Sequence, residues 1–442
     1  MKKYYKIFAF LVLVALIFCF CYFFLPLDQD GIWNYGFGYS ISKGLIPYKD
    51  FNIIVPPLWP LIISVPIGIV GHNFMTYYVI IAIVISTSIM LSYNKIGYRA
   101  IYILLLSIVF PHNGYNIFCL MLLFVLLSII YSDKYKDNDV LIAFIISLMF
   151  LSKQTLGVLI IPSIIFSKNR KKTICVYAVA ILSTLVYLLL NNNFIEFMDY
   201  CFFGLFDFSN NGNDSDVGIM IVELLVVICL IYSYVKTKDK ACLYVLAFQI
   251  VMVPIFEVIH LFLAFTPVVF YFFVSNKNKL IRFLFEILII SFLFAFYLKV
   301  IPGFMRDLDN RCLDKNSYLY SKRLPIYTDY KFDMVREYLD RYSDYKLYFL
   351  SSNAYIYKLE FDIPINKYDL INDGNMGYNG DIKYVNEIDD YCSSNKCLII
   401  VRSDEVIKDF NQTSRVITQY VINNYLSVFS SNDLTFYVNK IN

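Results

Sequence analysis

"PPLWPLIISVPIGIVG", residues 56 to 71, is apolar enough to enter a bilayer, and whether it crosses one decides how everything after it is threaded. Before it come a greasy run, "KIFAFLVLVALIFCFCYFFLPL" (6 to 27), and a polar segment, "DQDGIWNYGFGYSISKGLIPYKDF" (28 to 51), carrying Asp28, Asp30 and Asp50. Apolar runs suited to a ~30 Å hydrocarbon core lie at about 7 to 27, 73 to 92, 98 to 111, 116 to 132, 139 to 152, 154 to 167, 173 to 190, 217 to 235, 241 to 256, 259 to 275 and 280 to 300. With 56 to 70 kept on the surface they make about eleven crossings. Charge chooses between the readings. Seventeen basic residues, including Lys95 and Arg99, Lys134 and Lys136, and the "SKNRKK" cluster from Ser167, then share the side of Lys2, Lys3 and Lys6, while Lys43, Lys49 and Lys153 fall in the opposite loops. That is the bias of cytoplasmic loops. A crossing by 56 to 70 would put "SKNRKK" outside and invert the pattern.

Hydrophobic residues make up 59% of the chain and charged residues only 17%, which excludes an ordinary soluble domain. A net charge of +3, with no basic patch interleaved with aromatics, excludes nucleic acid as a partner. After Pro302 charges return every few residues, dividing the chain into a membrane-embedded domain, 1–302, and a soluble domain, 303–442. The first greasy run reads as an uncleaved anchor, being long and lacking a small-x-small site before Asp28. An odd number of crossings from a cytoplasmic N-terminus places the C-terminal domain outside. The fold class expected is an α-helical polytopic membrane domain with a C-terminal extracytoplasmic α/β domain. In that domain "KFDMVREYLDRY" and "RVITQYVINNYL" have helical spacing, "KLYFLSS" and "CLIIVRS" read as buried strands, and "LSVFSSNDLTFYVN" as a final hairpin. "NDGNMGYNG" (372 to 380) reads as a turn, not a phosphate cradle. Cys392 and Cys397 are able to pair if the domain faces an oxidising compartment.

Carboxylates at a water–membrane boundary mark functional cavities or solvated helix caps. The segment after Asp28 and Asp30 can form an interfacial helix anchored by Trp33, Tyr35, Phe37 and Tyr39, and both readings of the acids are open at this point. His72 and His112 lie toward the outer surface without partners at metal-ligand spacing and read as structural.

Asp30–Gly31, Gly44 fourteen positions on, "PYKDF" and the Pro56–Pro57–Leu58 start resemble the first outer loop of the glycosyltransferase C superfamily, multi-span enzymes that use polyprenyl-phosphate sugars. "LSKQTLGVLIIP" (151 to 162) is similar to an outer turn of its bacterial members, and "FEVIHLFLAFTP" (256 to 267) to a late span whose outer end carries a basic residue and a His. Here Glu257 and Val258 stand where an arginine is expected. The resemblance implies jaw helices on the outer surface, one beginning at the Pro-Pro-Leu stretch. It implies a catalytic acid, Asp30 with Asp28 as the competing choice. It also implies substrate contacts from Lys153, Gln154, Glu257 and His260, with Asp50 orienting the acceptor or helping to hold a divalent cation such as Mg or Mn.

The chemistry would be inverting glycosyl transfer, in which a carboxylate takes the acceptor's proton and cationic groups stabilise the departing lipid phosphate. The donor would be a polyprenyl-phosphate-linked sugar held among membrane lipid. The acceptor would be a cell-surface glycan, lipid or protein at the outer face of a bacterial plasma (inner) membrane, with the outer domain binding or positioning it. The competing readings are a lipid-linked oligosaccharide polymerase or ligase, a flippase-type transporter, and a non-catalytic scaffold.

Overall fold

The computed structural model describes residues 2–25, 29–111, 113–204, 216–253, 256–306, 322, 332–350, 354–369, 376–402, 415–431 and 434–439. Each of the eleven apolar runs forms helix: α1 (Lys2–Cys19, extended by a π turn, Phe20–Phe24), α4 (Phe74–Ile96), α5 (Ala100–Ser107), α6 (Gly114–Ile130), α7 (Asp139–Phe150), a 3-10 turn leading into α8 (Ile160–Phe166), α9 (Arg170–Leu190), α11 (Val217–Thr237), α12 (Lys240–Phe248), α13 (Val258–Ser275) and α14 (Lys279–Arg306). Six stretches are long and apolar enough to cross a bilayer. One of them, Phe74–Ser107, turns back on itself where Gly97 adopts a φ of 61° and ends α4, so α5 packs against its predecessor.

Short polar residues start these helices. Asn73, Asn138, Asn169, Asp216 and Asp239 each accept a hydrogen bond from a backbone N–H in the first turn that follows. Such caps satisfy amides that have no intrahelical partner, which matters most beside hydrocarbon.

Contacts sort the loops into two ends. At one, Lys6 Nζ donates to Asn94 (3.2 Å), Lys95 Nζ to the Tyr131 carbonyl (2.9 Å) and the Tyr131 hydroxyl to Asp239 (3.2 Å). There Lys168 also pairs with Asp137 (2.7 Å) and Arg99 with Glu286. At the other end Asn193, which precedes the short α10 (Phe194–Met198), donates from Nδ2 to the Pro47 carbonyl (2.8 Å), the Asp216 N–H to the Phe256 carbonyl (3.1 Å) and the Leu58 N–H to the Leu151 carbonyl (3.2 Å). The described helices pass between the ends eleven times, and the basic loops gather at one of them.

Residues 58 to 70 form α3 (Leu58–Val70), which does not cross. The preceding apolar helix, α1, runs antiparallel to the following one, α4, with Lys6 against Asn94 and the ring of Tyr22 edge-on to Tyr78, 5.7 Å away. The chain therefore leaves α1 and enters α4 at the same end. Between them α3 packs on α2 (Gln29–Ser42), so both lie across that end of the bundle.

The C-terminal domain sits at this end. Its sheet has the order β1-β2-β4-β3. β1 (Lys346–Leu350) and β2 (Cys397–Arg402) are parallel, while β4 (Leu434–Val438) runs antiparallel to both β2 and β3 (Leu426–Ser430). Alternation divides the strands between two cores. Tyr348, Leu350, Ile399 and Val401 face α17 (Gly380–Cys392) and α18 (Arg415–Asn424). Phe349, Leu398, Ile400 and Phe436 face α15 (Phe332–Arg341) and α16 (Ala354–Glu360). A sheet covered on both sides reads as unbroken apolar strands, as "CLIIVR" does. α16 and α17 had no counterpart among the helices expected from sequence.

Cys392 and Cys397 are disulfide-bonded, joining the end of α17 to the start of β2. Replacing both with serine should destabilise the domain by about 2 kcal/mol, the chain-entropy value for so short a loop. Thermal unfolding of the outer domain, followed with and without reductant, checks this; identical midpoints for wild type and the double variant would show that the bond contributes nothing.

Candidate active site

Four segments distant in sequence meet where the jaw helices cover the bundle. The first turn of α2 brings Asp30 and, one turn on, Asn34, whose Nδ2 donates to the Asp30 carbonyl oxygen (2.8 Å). The start of α6 brings Asn113, Tyr115 and Asn116. The turn between α7 and α8 brings Lys153, and the start of α13 brings Glu257 and His260.

Buried Lys153 extends its ammonium to Asn116 Oδ1 (3.0 Å) and lies 5.8 Å from the centre of the Tyr115 ring. Glu257 Oε1 is 3.0 Å from His260 Nδ1. Tyr115 lies within electrostatic reach of Asp30, Glu257 and the Asn113 side chain. Trp59 of α3 rests on Gly114, where a Cβ would meet the indole ring at 2.6 Å, so the jaw helix closes directly on the first residue of α6.

Desolvation pushes the Asp30 carboxyl up to about 6, and the nearby charge of Glu257 pushes the same way. Burial lowers the Lys153 ammonium to about 8, partly opposed by Cys119 and Glu257. Burial thus moves both groups toward neutrality, the carboxyl upward and the ammonium downward.

Several buried amide and hydroxyl atoms have no partner among the described residues: Asn34 Oδ1, Asn113 Oδ1, Asn116 Nδ2 and Thr155 Oγ1. Buried polar groups are nearly always bonded. A ligand rich in hydroxyls would complete these.

Not every residue expected from sequence joins the cluster. Asp50 Oδ2 accepts the Ile46 N–H (2.7 Å) and closes its own turn, in which Tyr48 has a φ of 68°. Gln154 Nε2 donates to the carbonyls of Ile54 (2.9 Å) and Cys201 (2.7 Å), tying the jaw segment to the outer rim. Asp28 and His112 lie outside the described residues, as do 370–375 of the glycine-rich loop. Among the described residues no three His, Cys, Asp or Glu side chains cluster as metal ligands. No step below passes through a divalent cation.

The amides of Asn34, Asn113 and Asn116 were missed from sequence. Their signal was "HNGYN" (112 to 116), three polar residues opening an otherwise apolar span.

No family model matches this sequence, and no curated protein sequence does. Among solved structures, the crystal structure of ArnT from Cupriavidus metallidurans in the apo state superposes with a TM-score of 0.56 at 11% identity, covering 100% of this chain and 99% of that one. At that identity the likeness establishes a shared architecture with that structure over the whole length, and nothing finer.

Proposed function

We propose that this chain is a membrane glycosyltransferase that moves a sugar from a polyprenyl-phosphate donor to an acceptor hydroxyl at the outer face of a bacterial plasma membrane. The observation that carries the reading is the meeting of Asp30, Glu257, Lys153 and His260 beneath the jaw helices, in the fold of ArnT, an aminoarabinose transferase. The end holding this cluster is the outer one on two grounds: the opposite end collects the basic loops, and the domain on this end carries a disulfide.

In the reaction, Asp30 takes the proton of the attacking hydroxyl as the new glycosidic C–O bond forms. The bond from the anomeric carbon to the phosphate oxygen breaks, and inversion follows from attack opposite the leaving group. Lys153 and the N-terminal turns of α6 and α13 stabilise the charge gathering on the lipid phosphate. Asn116 holds the ammonium in place. Glu257, set where a phosphate-binding arginine was expected, serves the sugar hydroxyls together with Asn34 and Asn113.

The test is turnover. Purified protein in nanodiscs, given a panel of polyprenyl-phosphate sugars and crude surface glycan, should release free polyprenyl phosphate detectable by mass spectrometry. Donors that bind but are never cleaved would turn the reading toward a flippase or a scaffold.

A further inference from the structure

The outer domain was expected to select the acceptor, yet its closest packing is against the helix that carries Asp30. All seven residues of α16 are buried. Its Tyr355 is fully buried, 6.1 Å centre to centre from both Trp33 and Phe37. Between those two rings lies Gly36, where a Cβ would stand 2.8 Å from Tyr355 Cδ1 and 3.1 Å from Ile365 Cδ1. The ring occupies the space that any other residue at position 36 would need.

The grip continues along α2. Ser40 Oγ accepts the Ile365 N–H (3.2 Å), the Tyr39 hydroxyl donates to the Asp362 carboxylate, and Lys43 pairs with Asp362 (3.3 Å). Next to it, His72 Nε2 bonds to the Leu359 carbonyl (2.9 Å), and the Lys367 N–H donates to the Asp50 carbonyl (3.2 Å). The gripping loop is itself stiffened by a buried ion pair, Lys358 with Asp369 (2.6 Å), whose carboxylate also accepts the Asn366 N–H (2.7 Å). On another side of α2, a Cβ at Gly38 would stand 2.5 Å from Ile63 of α3. α2 is therefore clamped between the jaw helix and the outer domain. Gly36 is six residues from Asp30, about 9 Å along the helix axis.

We propose that the outer domain is a brace for the catalytic helix and that Tyr355, wedged against Gly36, is a positioning residue that sets where Asp30 stands. This rests on the reading of Asp30 as the base. Small displacements of a reacting group cost large factors: a shift of 1 Å is worth about 10²-fold. Among the described residues the Tyr355 hydroxyl has no partner, so the ring does the positioning.

The experiment measures steady-state kinetics across pH for Tyr355→Ala and Tyr355→Phe in the full-length protein. Tyr355→Ala should lower kcat about 10²-fold with KM for donor and acceptor changed by less than about threefold. Its acid limb should move below the wild-type value as Asp30 gains water, while Tyr355→Phe should behave as wild type. A Tyr355→Ala protein with unchanged kcat and acid limb would overturn the brace, and a change confined to acceptor KM or product profile would make the domain an acceptor reader. Should Tyr355→Ala fail to accumulate, Tyr355→Leu gives the same readouts at smaller amplitude. Full turnover by Asp30→Asn would instead remove the base assignment, a failure seen in that variant whatever Tyr355 does.

Discussion

Asp30→Asn is expected to lower kcat by about 10³-fold, within the 10² to 10⁴ contributed by a positioned general base, while donor binding is retained. The amide is nearly isosteric but cannot take the acceptor proton. In the wild type, kcat/KM should fall as pH drops through about 6, where the carboxylate is lost, and the variant's residual rate should lack that limb. Stability moves the other way. The folded pKa of Asp30 is raised above its ordinary value, so the ionised form costs stability at every pH above the unfolded pKa, and the cost is complete above about 6. Removing the charge should raise Tm at pH 7.5, an inactive but more stable enzyme, as befits a site held against its own stability. Thermal unfolding beside polyprenyl phosphate release checks both effects. Wild-type turnover would transfer the role to Asp28, and a lowered Tm would mean that Asp30 is a structural cap.

Lys153→Met is expected to lower kcat by about 10² to 10³-fold, the scale for removing one electrostatic contact to a developing anion. The pH dependence identifies the cause. With its ammonium lowered to about 8 by burial, Lys153 loses its charge as pH rises through that value, so the wild-type profile should be bell-shaped between about 6 and about 8. Lys153→Arg keeps its charge at all accessible pH. It should retain part of the turnover and lose the alkaline limb. An alkaline limb that stays in place in Lys153→Arg would show that another group, not this ammonium, meets the leaving phosphate.

Much of the architecture was legible because its causes are local. Apolar runs, basic clusters and Asn or Asp caps are short-range patterns, and they placed eleven helices and kept α3 from crossing. The strands and two helices of the outer domain followed from alternation and helical spacing. α16, "AYIYKLE", escaped notice because it is short and buried on every side, so that even Lys358 turns inward to Asp369 and no amphipathic pattern marks it. Lys153, Glu257 and His260 were reached through resemblance, whereas Asn113 and Asn116 were overlooked because an amide near a span end has a bland explanation until its neighbours are known. Asp50 and Gln154 had the right chemistry for substrate, and only the structure showed Asp50 Oδ2 and Gln154 Nε2 bonded to backbone, with Gln154 Oε1 left buried and without a partner among the described residues.

By itself, then, the sequence determined that this is a polytopic membrane protein with its basic loops on one side and an α/β domain on the other, since hydrophobic length and charge act residue by residue along the chain. Tertiary structure alone decided that Asp30, Asn116, Lys153 and Glu257 share one site and that Tyr355 fills the space at Gly36. Which helices become neighbours depends on packing between surfaces far apart in sequence, and no periodicity along the chain records it.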